Sequence, residues 1–110
     1  MKTRSAHVYF NGVRAGELTH DTRGYRFSYD QTYLRQPHAF PISLSFPLSS
    51  EPSTSDTLFP FFKGLIPEGW LFELNARALK IDPRDEFGML LCTGRDCVGA
   101  VTVVDEAEDV

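Results

Sequence analysis

Ala6-His7-Val8-Tyr9-Phe10-Asn11-Gly12-Val13-Arg14-Ala15-Gly16-Glu17-Leu18 is the stretch that decides the fold. Two β-prone runs flank Asn11-Gly12, the strongest two-residue turn signal, because both of its central positions tolerate positive φ. The stretch therefore reads as a β-hairpin, and Asn11 and Gly12 set its register. A second turn over Asp21 to Gly24 leads into Tyr25-Arg26-Phe27-Ser28-Tyr29, which alternates aromatic and polar side chains as a half-buried strand does. Gln31 to Leu34 reads as a short helical turn. Pro41 to Phe46 alternates again, with Ile42, Leu44 and Phe46 on one side and Ser43 and Ser45 on the other. It is expected to form a strand that Pro47 ends.

The second half changes character. Ser49 to Ser55 is rich in Ser, Pro and Thr, has no apolar anchor, and reads as loop. Asp56 is placed to cap a helix from Thr57, with Pro60 in the first turn, where a missing N–H costs little. That helix carries Phe61, Phe62 and Leu65 and stops before Pro67. A second helix is expected from Pro67 to about Leu79, with Leu71, Leu74 and Ala78 as its core stripe. A third runs from Arg84 or Asp85 through Leu91 and ends before Gly94, a C-cap glycine. Asp96 to Val104 is β-prone and reads as a last strand. The order of strands, three short helices and a strand predicts one α+β domain over residues 1–110. Its sheet is mostly antiparallel, with the helices packed on it.

Composition bounds the function. The 110 residues suit one domain. Hydrophobic residues make up 42% and charged residues 24%, as in ordinary globular domains. No apolar run is long enough to span a membrane, and the alternating segment after the basic start is not a signal peptide. A cytoplasmic setting is expected, and although a Cys92–Cys97 disulfide is possible, that setting disfavours it. The cysteines lack C-x-x-C spacing with nearby histidines, and Cys92 is expected to pack as a small hydrophobe. The formal charge is −4 and the eleven basic residues are scattered, so direct nucleic-acid binding is not expected.

No motif carries chemistry. Glu68, Glu73, Asp82, Asp85 and Glu86 are acids near helix starts or on solvated helix faces, where charge needs no catalytic explanation. His7, His20 and His38 are dispersed, with no metal-ligand spacing. The glycine-containing turns match no phosphate loop, and no cofactor is expected. The informative feature lies elsewhere, in Leu58-Phe59-Pro60-Phe61-Phe62-Lys63-Gly64-Leu65-Ile66-Pro67-Glu68-Gly69-Trp70. Aromatics crowd a short span, and the only tryptophan follows Pro67-Glu68-Gly69 directly. Trp70 admits two readings. At the start of a helix it packs inward as core. About 100° from Leu71, at the edge of the apolar stripe, it serves as an interface anchor.

Several segments taken together resemble the N-terminal subdomain of HipA-like serine/threonine kinases. They are Val8 to Gly12 with Gly16-Glu17-Leu18, Phe27-Ser28-Tyr29, Pro41 to Leu48, Phe61 to Gly69, Phe87 to Leu91, and Gly94 to Val101. They occur in the family's order over nearly the whole chain. No kinase motif accompanies them, so the chain resembles the free-standing HipS-like members of three-part HipBST toxin–antitoxin systems. The resemblance implies a non-catalytic antitoxin that binds and neutralises a HipT-like kinase toxin. It also implies a HipB-like helix-turn-helix protein as a further partner. The alternative is a structural or activating subunit that stabilises the kinase or bridges it to the HipB-like protein. The expected kinase-facing residues are Trp70, Phe62, Pro67, Glu68 and Gly69.

Overall fold

The computed structural model describes residues 3–66, 85–94 and 100–108. Three strands follow one another: β1 (Arg4–Phe10), β2 (Val13–Asp21) and β3 (Gly24–Tyr29). The helical turn α1 (Gln31–Leu34) comes next, then β4 (Ser53–Ser55), the one-turn helix α2 (Pro60–Lys63), α3 (Glu86–Thr93) and β5 (Val101–Asp105). A 3-10 turn over Glu106–Glu108 follows β5. The sheet is antiparallel throughout, in the order β4-β3-β2-β1-β5. It is the predicted α+β arrangement. Among the described residues no helix is long and apolar enough to cross a membrane.

The hairpin forms as its turn dictates. Asn11 and Gly12 have φ of 51° and 82°, the left-handed pair a two-residue turn needs. Phe10 pairs with Val13 and Tyr9 with Arg14, but Val8 then pairs with Gly16, so the ladder skips Ala15. This β-bulge changes the parity of β2. It puts Leu18 opposite Ala6 on the core side and Glu17 opposite His7 on the other. The carbonyl of Ala15 accepts the Asp30 N–H at 2.8 Å, and Arg14 pairs with the Asp30 carboxylate at 3.0 Å. The bulge thereby fixes the junction between β3 and α1.

One face of the sheet holds the core. Ala6, Val8, Leu18, Phe27, Tyr29, Val101 and Val103 point into it and are buried. Against them pack Phe46, Phe59, Phe62, Phe87 and Leu90. α3 begins where the sequence placed it, and the Asp85 side chain caps it by accepting the Gly88 N–H. Gly94 closes α3 with ordinary helical φ, so its reason is space rather than positive φ. A Cβ there would lie 2.7 Å from the Val103 Cβ and 2.8 Å from its carbonyl oxygen.

Several expectations are overturned. Pro41 to Phe46 is not a strand. Ser43 and Phe46 close a tight turn, with the Phe46 N–H bonded to the Ser43 carbonyl at 3.0 Å. Ile42 and Phe46 are buried, but Leu44 sits on the tip, fully exposed. A turn with two apolar flanks imitates the alternation of a strand. The fourth strand comes instead from Ser53–Ser55 in the supposed loop, because β3 offers an edge to pair with. α2 begins at Pro60 after Phe59, not at Thr57 after Asp56, since Leu58 and Phe59 turn into the core. Cys92 is exposed, not packed: it lies off the α3 face that buries Phe87, Met89, Leu90 and Thr93. The expected helix from Pro67 to about Leu79, and Cys97, lie outside the described residues.

Candidate functional site

The segment that leads to Trp70 is built on an aromatic platform. Phe62 lies beneath α2 with no exposure, its ring centroid 5.2–6.2 Å from those of Phe27, Phe46, Phe59 and Phe61. Offset and edge-on pairs at such distances add stabilisation beyond buried area. Phe62 is thus a correction to the expected kinase-facing set. A one-turn helix sends neighbouring side chains apart, so Phe62 takes the inside and Phe61 remains half-buried against Phe46. Pro67, Glu68, Gly69 and Trp70 lie outside the described residues. The chain reaches them through Leu65 and Ile66, whose N–H groups bond back to Phe62 and Lys63 at 3.0 and 3.2 Å. Pro60, Lys63 and Gly64 form the exposed rim.

Two tyrosines hold the loop beside this platform. The Tyr29 hydroxyl accepts the Ile42 N–H at 3.0 Å and donates to the Phe46 carbonyl. The Tyr33 hydroxyl donates to the Phe40 carbonyl at 2.6 Å and accepts the Phe40 N–H at 3.2 Å. The rings stack with centroids 6.0 Å apart. They supply the backbone partners that a strand would have given. Burial raises the Tyr29 hydroxyl pKa above its ordinary value, so it stays protonated and able to donate.

The acids singled out in the sequence have structural partners. Asp85 receives two hydrogen bonds from the Arg4 guanidinium, both 2.8 Å. Those bonds, offset in part by burial, hold its carboxyl below the usual carboxylate range. Arg4 also lies over the Phe87 ring and reaches His20 Nδ1 at 3.0 Å. A guanidinium only donates, so that nitrogen accepts. Burial first, and then the Arg4 charge, push His20 below its ordinary value. Glu86 pairs with Lys63 at 3.2 Å and ties α3 to α2. Glu68, Glu73 and Asp82 lie outside the described residues. The fold separates His20, on the core face, from His7, on the opposite one. It sets His7 beside Glu17 and Glu106, a grouping hidden in sequence because an unbulged hairpin would pair His7 with Gly16.

Comparison with known proteins gives a consistent picture. The family described as HipA N-terminal domain matches residues 6–104. An uncharacterized protein of Haemophilus influenzae is 43% identical over 105 residues, covering 96% of this chain and 95% of its own. A solved structure described as the N-terminal domain of HipA toxin aligns with a TM-score of 0.72 at 40% identity, covering 96% of this chain and 95% of that one. The serine/threonine-protein kinase toxin HipA of Shewanella oneidensis is 26% identical over 94% of this chain, which spans 24% of the kinase. A chain of the solved Shewanella oneidensis complex of HipA, HipB and operator DNA shares the fold, with a TM-score of 0.75 at 21% identity over 24% of its length.

Proposed function

This chain belongs to the HipA N-terminal domain family, and on that premise we propose that it is a binding protein of a toxin–antitoxin system that neutralises a HipT-like serine/threonine kinase. The observation that carries the reading is a contrast of coverage. The Haemophilus influenzae relative is matched over 95% of its own length, whereas the kinase toxin HipA is matched over 24%. The same domain thus occurs both as a small protein and as one quarter of a kinase. In this reading the domain keeps the surface that complements the kinase.

In this proposal Pro67, Glu68, Gly69 and Trp70 face the kinase and Trp70 fills a cleft in it. The platform under α2 supports the idea, because it holds the chain up to Ile66, and a contact approached from a fixed base loses less freedom on binding. Phe62 contributes as part of the aromatic platform under α2. Truncating such an aromatic costs about 2 kcal/mol or more, about 30-fold in affinity. The test is co-expression with a HipT-like kinase. The wild-type chain should rescue growth, and Trp70→Ala should lose rescue with its circular dichroism unchanged. A folded Trp70→Ala that still neutralises the kinase moves the contact elsewhere. A Trp70→Ala that unfolds makes the tryptophan core.

The Shewanella oneidensis complex of HipA with HipB and operator DNA favours a second reading, a subunit that stabilises the kinase or bridges it to a HipB-like protein. Such a subunit raises kinase yield or HipB capture without rescuing growth. Under either reading the chain is expected to work in the cytoplasm beside its kinase and to show no saturable ATP binding by calorimetry.

A further inference from the structure

The side of the sheet away from α2 and α3 carries an arrangement of its own. His7 on β1 pairs directly with Glu17 on β2. On the other flank of β1, His7 pairs with Val104 of β5, and Glu106 opens the 3-10 turn two residues later. The ligand atoms of His7, Glu17 and Glu106 all lie within 4.8 Å of one another. His7 is 9% exposed, so its ring is held in place, while Glu106 is open to solvent. The cationic side chains Arg4, Arg14 and Lys63 are engaged with Asp85, Asp30 and Glu86.

We propose that His7, Glu17 and Glu106 bind a divalent transition cation of the zinc class on the polar face of the sheet. One imidazole nitrogen and two carboxylate oxygens suit such an ion, whereas calcium and magnesium prefer all-oxygen sets. Bonds of about 2.1 Å bring tetrahedral ligand atoms to about 3.4 Å, and the glutamate side chains close that gap by changing rotamer. Two carboxylates held this close repel each other, and a dication reverses the sign of that interaction. Three protein ligands leave a fourth position for water or a partner's donor. The ion ties the turn after β5 to the hairpin and binds only the folded chain, so it raises Tm. The site lies on the opposite face from α2, so it stands or falls independently of kinase binding.

Chelator-treated full-length chain is titrated with zinc chloride and, separately, magnesium chloride. The expected result is saturable one-to-one zinc binding by calorimetry and a rise in Tm with zinc but not magnesium. His7→Ala should abolish both. Because His7 is buried, the Glu17→Gln/Glu106→Gln double variant provides the second arm: it should fold as wild type and weaken zinc at least about tenfold. No saturable zinc binding by the wild-type chain would overturn the proposal. Unchanged zinc binding by the double variant would overturn it equally, by placing the ion on other side chains.

Discussion

The two faces of the sheet follow different rules. The core face is aromatic and non-local: Phe27, Phe46, Phe59 and Phe62 come from three separate segments and meet with ring centroids 4.9–6.2 Å apart. The opposite face presents Glu17, Thr19, Arg26, Ser28 and Thr102, which are half-buried or exposed and set by strand register. Packing stabilises one face, while the other is available for polar chemistry. Among the described residues, the aromatic side is where the buried cluster gathers.

Substitutions grade this contrast. Phe62→Ala should have the largest effect, about 3–5 kcal/mol by chemical denaturation, since it opens a cavity in the middle of the cluster. A loss under 1 kcal/mol would mean that the platform collapses freely and is not rigid. Tyr29→Phe should cost about 1–3 kcal/mol, because the Ile42 N–H and the Phe46 carbonyl lose the hydroxyl that serves both. If it costs nothing, the loop does not depend on that hydroxyl.

Acid should act on the core face through Arg4, Asp85 and His20. Both titrating groups have folded values below their unfolded ones. Each therefore contributes stability that is complete above its unfolded pKa and is lost as pH falls through the folded value. For His20 the loss starts below about 6.5, and for Asp85 below about 3.9. Tm should fall in two stages on acidification, and Asp85→Asn should remove the lower stage. A pH-independent Tm between 7 and 3 contradicts the linkage. The smallest effect belongs to the polar face: Arg26→Ala is expected within about 0.5 kcal/mol of wild type by the same denaturation measurement. A larger loss there would erase the contrast between the faces.

The sequence by itself determined what depends on neighbours in the chain. Asn11-Gly12 forced the hairpin through its positive φ values, Tyr25 to Tyr29 alternated because one side is core, and Asp85 capped α3 through its own side chain. Family membership was legible in ordered motifs for the same reason. Tertiary structure alone decided the rest. Ser53–Ser55 became a strand because β3 had an open edge, which no property of Ser-Thr-Ser announces. Ile42 and Phe46 are buried around a turn because one tyrosine hydroxyl, that of Tyr29, satisfies the backbone at both of its ends. Phe62 went inside and left Phe61 at the margin because a single helical turn over an aromatic cluster has one inner position. The bulge at Ala15 shifted the pairing by one residue and so brought Glu17 to His7. In each case the deciding contact joins residues distant in sequence, and its energy is set by what the fold brings together.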